Sequence, residues 1–169
     1  MLRAGTTLGN SLTNVDAQSE ARRTGDVFDA PAYCAAPANT LRTNFQGLVI
    51  GYLDDEAGMV RMMGLNAPAY FPGAVYKGLH DSGVAIERIM AWIETEKLDL
   101  LISDFKLAGG KQGDEIVRRA KAASPHLICI GLSALANQEA FAAAGAAAVL
   151  SKPCDMESLA KAALDACNA

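Results

Sequence analysis

The sequence predicts an α/β protein, a doubly wound parallel sheet with helices on both faces. Three observations predict it. Short apolar runs of strand length recur five times after residue 47. Each is followed by a segment of helical period. Acids, a Ser and a Lys stand where the runs end, which is where open α/β sheets place their binding sites.

The elements follow in order. Leu48-Val49-Ile50-Gly51-Tyr52-Leu53 reads as a buried strand, ending in Asp54-Asp55. Val60, Met63 and Ala67 then fall at helical spacing, and Pro68 and Pro72-Gly73 are expected to end that helix early and leave an irregular stretch. Residues 74–79 form a weaker second strand, and Asp81-Ser82-Gly83 makes a turn with helix-capping groups. Ile86, Ile89, Met90 and Ile93 make the apolar stripe of the next helix. The third strand, Leu98 to Ser103, runs into Asp104. A Gly-rich loop leads to a helix over about 114–123, stopped by Pro125. Residues 127–132 form the fourth strand, ending at Ser133. An Ala-rich helix over about 137–144 closes at Gly145, and residues 147–151 form the fifth strand before Lys152-Pro153. Asp155 is placed to cap the last helix, with Met156, Leu159, Ala163 and Ala166 on its inner side.

Residues 1–46 differ. They are rich in Ala, Thr, Asn, Ser, Gly and Arg, and their sparse apolar residues lack period. Such a segment buries too little surface to offset its ordering entropy, so a mostly disordered extension is expected there, ahead of a domain over 47–169. Its sticky patch, Val27 to Cys34, is read as a stray exposed cluster rather than one docked on the domain or a partner.

Composition removes several function classes. A net charge of −4 offers no basic face for nucleic acid. No apolar run approaches the ~18–20 residues that span a bilayer, and the N-terminus has no secretory pattern, so a cytoplasmic place is expected. Cys34, Cys129, Cys154 and Cys167 lack metal-ligand spacing and read as free thiols; His80 and His126 have no acidic or Cys cluster beside them in sequence.

Asp54, Asp55, Asp104, Ser133 and Lys152 should therefore converge. Carboxylates brought together repel one another, and a divalent cation resolves that conflict. Oxygen donors without His or Cys suit Mg²⁺. A carboxylate beside Mg²⁺ can attack a phosphoryl group, Lys152 adds a positive charge for the moving oxygens, and the Ser133 hydroxyl can donate to one of them.

Leu53-Asp54-Asp55-Glu56, Asp104-Phe105-Lys106-Leu107 with its Gly-rich loop, Ser133-Ala134 and Ser151-Lys152-Pro153 together resemble the response-regulator receiver domain of two-component signalling. The resemblance covers residues 47–169. It implies a flavodoxin-like (CheY-like) sheet of order 2-1-3-4-5. It implies Asp104 as phosphoacceptor, Asp55 as direct Mg²⁺ ligand and Asp54 as its acidic neighbour, often acting through water. The Lys106 backbone carbonyl matches the remaining protein ligand, Ser133 the switch hydroxyl, and Lys152 the family's lysine, with a cis bond into Pro153. The partners it implies are a histidine kinase or histidine phosphotransfer protein and a downstream protein target.

This chain also departs from the pattern. Val149, three before Lys152, stands where many receivers carry an aromatic that swings inward on activation. The acceptor loop, Leu107 to Gly113, is long, Gly-rich and without the usual Pro, so a freer loop that rearranges on Mg²⁺ binding is expected. Lys106 and Leu135 supply no group to orient an attacking water, which predicts a long-lived phosphoryl state. The last helix ends near Ala169, so the expected output is a protein contact or onward phosphotransfer by a single-domain switch, not turnover as an enzyme. The alternatives are an adaptor that works without phosphorylation, left open by Val149 and the loop, and a haloacid-dehalogenase-like phosphohydrolase. The latter needs an acid two positions after its Asp nucleophile, where this chain has Lys106.

Overall fold

The structure is a computed structural model that describes residues 27–29, 45–134 and 137–169. Its strands are β1 (Val27–Asp29), β2 (Val49–Asp54), β3 (Val75–His80), β4 (Leu100–Asp104), β5 (Ile128–Ser133) and β6 (Ala148–Ser151). Its helices are α1 (Ala57–Tyr70), α2 (Ile86–Thr95), α3 (Gly113–Ala123), α4 (Gln138–Ala143) and α5 (Met156–Cys167). The sheet order is β1-β3-β2-β4-β5-β6. β2 to β6 are all parallel, and counted alone they give the expected order 2-1-3-4-5.

The sixth strand corrects the reading of the N-terminal patch. Val27, Phe28 and Asp29 pair antiparallel with Leu79, Gly78 and Lys77 of β3. β3 would otherwise be the sheet's edge, a row of unpaired amides and carbonyls, and a Val-Phe pair suits a strand laid along it. Residues 1–26 and 30–44, on which the rest of the disorder expectation falls, lie outside the described residues. Phe45 is fully buried and stacks edge-on against Phe71, with ring centroids 5.2 Å apart.

Pro68 brings the second correction. It does not end the first helix, which runs through it to Tyr70. Proline forfeits the bond to the carbonyl four residues back and crowds it. Here that residue is Gly64 and the loss falls in the last turn. Regular bonding resumes at once, with the Phe71 amide donating to Ala67 O at 2.7 Å.

Strand periodicity sends alternate side chains to opposite faces. Ile50, Tyr52, Leu100, Ile102, Ile130 and Leu132 join Val60, Met63 and Ala67 of α1 and Leu159, Ala160 and Ala163 of α5 in one core. Leu53, Leu101 and Cys129 join Ile89 and Ile93 of α2, Ile116, Val117 and Ala120 of α3 and Phe141 of α4 in the other. At about 25 cal/mol per Å² of apolar surface removed from water, two such layers supply most of the drive to fold. They also leave the carboxyl ends of β2, β4, β5 and β6 open along one rim.

Candidate functional site

Asp54 is the last residue of β2, and Asp104 the last of β4. Because the two strands are parallel neighbours, both carboxylates reach the same rim. Asp54, Asp55 and Asp104 each bring an oxygen to a common point, with these atoms all within 4.8 Å of one another. Asp54 and Asp104 are buried; Asp55 is exposed. Lys152 follows β6 and enters from the side. Its Nζ lies 2.8 Å from Asp104 Oδ1 and 3.3 Å from Asp54 Oδ2. The bond from Lys152 into Pro153 is cis, as expected.

Burial pushes the Asp104 carboxyl up and the Asp54 charge adds to that; the Lys152 hydrogen bond and charge lower it without reversing the rise. For Lys152, burial favours the neutral amine, but the hydrogen bonds to Asp104 and Asp54 and the charges of both together outweigh burial and raise it. The ammonium therefore stays charged. One ammonium for a cluster of three carboxylates leaves net negative charge at the rim, and the donors are all oxygen. That set fits a hard divalent cation.

Asp54 is already well occupied by protein. Its Oδ1 accepts from the Glu56 amide at 2.8 Å, and its Oδ2 from the Tyr52 hydroxyl at 2.8 Å. A carboxylate so engaged suits a role through water better than direct ligation. Burial, and then the Asp54 charge, hold the Tyr52 hydroxyl far above the usual phenol range, so it remains a donor. Sequence reasoning missed Tyr52 here. The signal was available: residues two apart on a strand share a face, which puts Tyr52 directly beneath Asp54.

Ser133 ends β5, with its side chain buried and its Oγ donating to Ala134 O at 3.0 Å. Asp104 pairs with Leu132, so Ser133 stands one residue further along the neighbouring strand. Its carbonyl accepts from the Lys152 amide at 2.9 Å, which links β5 and β6 at the rim. The Lys106 side chain is exposed, and its backbone pairs with Gln112 across the acceptor loop. Across that loop the Lys111 ammonium reaches Asp81 Oδ2 at 3.1 Å. Val149 is half-buried against the α2–α4 core. Leu135 lies outside the described residues.

His80 lies closer to the rim than its sequence position suggested. Its Nε2 is 3.1 Å from Asp55 O. Among the described cysteines, Cys129, Cys154 and Cys167 are free. Burial pushes the Cys129 thiol up to about 12, so it is an inert core group.

The fold is that of response-regulator receiver domains. A receiver domain protein from Clostridium thermocellum superposes with a TM-score of 0.62 at 22% identity, over 72% of this chain and 94% of that one. A putative response regulator from Chloroflexus aurantiacus J-10-fl gives 0.62 at 20%, over 73% and 100%. The signal receiver domain of a modulated diguanylate cyclase from Desulfovibrio desulfuricans G20 gives 0.60 at 17%, over 73% and 95%. Identities this low carry the fold and leave the chemistry to the residues at the rim. No protein-family model and no curated protein matches the chain. Among the described residues no helix is long and apolar enough to cross a membrane.

Proposed function

We propose that this protein is a receiver switch that takes a phosphoryl group on Asp104. The supporting observation is the convergence of Asp54, Asp55, Asp104 and Lys152 from three separate strand ends, with the Lys152 ammonium 2.8 Å from the Asp104 carboxylate. On this reading residues 47–169 are the switch and residues 1–46 an extension that adds one edge strand. Its place is the cytoplasm.

The phosphoryl donor is a phosphohistidine on a kinase or phosphotransfer protein. An Asp104 oxygen forms the new bond to phosphorus, the nitrogen–phosphorus bond breaks, and the histidine keeps the bond's electrons and takes up a proton. Lys152 meets the charge on the transferred group. The Ser133 hydroxyl gives up Ala134 O and donates to a phosphoryl oxygen. Asp55, Asp104 and the Lys106 carbonyl would hold Mg²⁺, with Asp54 acting through water, and the ion would supply positive charge to offset that on the phosphoryl oxygens. Movement of Ser133 shifts the adjoining loop, and with Val149 unable to swing as an aromatic would, backbone shifts carry the change to a protein partner.

The test is incubation with acetyl phosphate and Mg²⁺, read by intact mass. The expected result is a gain of one phosphoryl group that is absent in Asp104→Asn and without Mg²⁺. No gain points to an adaptor that works without phosphorylation, and turnover of many phosphate esters points to a phosphohydrolase.

A further inference from the structure

The loop after Asp104 is a small, closed hairpin. Lys106 and Gln112 form an antiparallel bridge across it, and the Leu107 amide donates to Lys111 O at 3.1 Å. Gly109 and Gly110 turn its tip with φ of 71° and 77°. The Leu107 side chain is buried in the α2–α4 core. The Lys111 side chain does not extend into water, as a lysine on a loop ordinarily would. It folds back over the tip, donates to Ala108 O and reaches Asp81 Oδ2 at 3.1 Å. The lysine side chain is 12% exposed and the aspartate 0%.

Asp81 is tied down on every other side. Its Oδ1 accepts from the Gly83 and Val84 amides, each at 3.1 Å. Its own amide donates to Asp54 O at 2.9 Å. The Lys111 contact with Oδ2 lies off the direction of a good hydrogen bond, so it acts as an ion pair. A fully buried carboxylate without a cation would be costly. Lys111 therefore joins the acceptor hairpin to the turn after β3, and that turn is bonded to the end of β2.

We propose that Lys111 and Asp81 are a positioning pair: their ion pair holds the 106–112 hairpin closed, which aims the Lys106 carbonyl at the divalent cation. This rests on the phosphoacceptor reading. Gly109 and Gly110 supply the backbone freedom that closes the hairpin, and without a clamp the same freedom would have to be frozen out whenever the cation binds. The pair freezes it beforehand. Neither residue belongs to the cluster of Asp54, Asp55 and Asp104.

The variants are Lys111→Met, which keeps the stem and removes the charge, Lys111→Arg, which keeps the charge, and Asp81→Asn, which retains an oxygen for the Gly83 and Val84 amides. Four quantities are read: the Mg²⁺ concentration for half-maximal phosphorylation by acetyl phosphate, the rate at saturating Mg²⁺, the Tm without Mg²⁺, and hydrogen exchange at the Leu107 amide. Loss of a group that orients a metal ligand typically weakens binding 10- to 100-fold. Acting through a single carbonyl, K111M and D81N are each expected to raise half-saturating Mg²⁺ about tenfold. The saturated rate should stay within about twofold of wild type by the same logic. The double variant should be no worse than either single one. K111R should lie nearer wild type, and Leu107 exchange should quicken in K111M. A lowered Tm with unchanged half-saturation and unchanged Leu107 exchange makes the pair merely structural and overturns the proposal; so do additive effects in the double variant. If the wild-type protein gains no phosphoryl group, the phosphoacceptor reading falls instead. Calorimetric Mg²⁺ titration and Leu107 exchange then decide the pair by themselves.

Discussion

Asp104 carries a charge in a place that disfavours it. Its carboxyl titrates higher in the folded protein than in the unfolded chain, because burial and the Asp54 charge raise it and Lys152 does not reverse the rise. The folded state thus binds this proton more tightly, and stability from this group is lost as pH rises through the raised value. Asp104→Asn is accordingly expected to raise Tm in Mg²⁺-free buffer at neutral pH. The gain should shrink as pH falls toward the ordinary carboxylate range, which thermal melts between pH 4 and pH 7 will check. Tyr52 gives a second prediction at this scale. Its hydroxyl donates at 2.8 Å to a buried, charged acceptor, and hydrogen bonds of that kind contribute about 1.5–3 kcal/mol. Tyr52→Phe should lose about that much in urea unfolding, with the m-value unchanged. A neutral result would mean that Lys152, 3.3 Å from the same Asp54 oxygen, takes over its charge.

Among the elements, the approach of α3 to β4 is the tightest constraint on the site. A Cβ at Gly113 would lie 2.0 Å from Asp104 O and 2.9 Å from Ser103 Oγ. The nearer contact is backbone, which cannot rotate away. Gly113→Ala must therefore move the first turn of α3 or the end of β4. The expected cost is about 1–3 kcal/mol or more, with slower phosphorylation of Asp104 even at saturating Mg²⁺. Full phosphorylation rate in a folded Gly113→Ala protein would show that the site tolerates that shift. At the sheet's other margin, β1 covers β3 over Lys77–Leu79. Removing residues 1–30 should speed amide exchange within that stretch and leave the central strand β4 unchanged, because only the edge loses a partner.

For the molecule as a whole, a divalent cation held at the rim would couple stability to metal. A cation that binds only the folded protein stabilises it by about 2.7 kcal/mol at a hundred times its Kd. Mg²⁺ is therefore expected to raise Tm at neutral pH, and less at acid pH, where its carboxylate ligands take up protons. Asp55→Asn should remove most of the rise. A Tm indifferent to Mg²⁺ at neutral pH would count against the whole site.

The five parallel strands, their helices and the residues at the strand ends were legible in the sequence, because each follows from local pattern: a period, a cap, an acid that ends an apolar run. Asp155 is an instance, accepting from the Ser158 amide at 2.7 Å where the sequence predicts a cap. What local pattern could not show was pairing at a distance. The fate of Val27–Asp29 depended on an edge some fifty residues away that needed a partner. Helix α1 runs on through Pro68, whose loss falls in the last turn and opposite a glycine. Lys111 looked like one charge in a flexible loop until the fold set a buried carboxylate 3.1 Å from it. The sequence by itself determined which residues the rim would display. Tertiary structure alone decided what holds them in place, because a buried ion pair or a shared sheet edge exists only after segments remote in the chain have met.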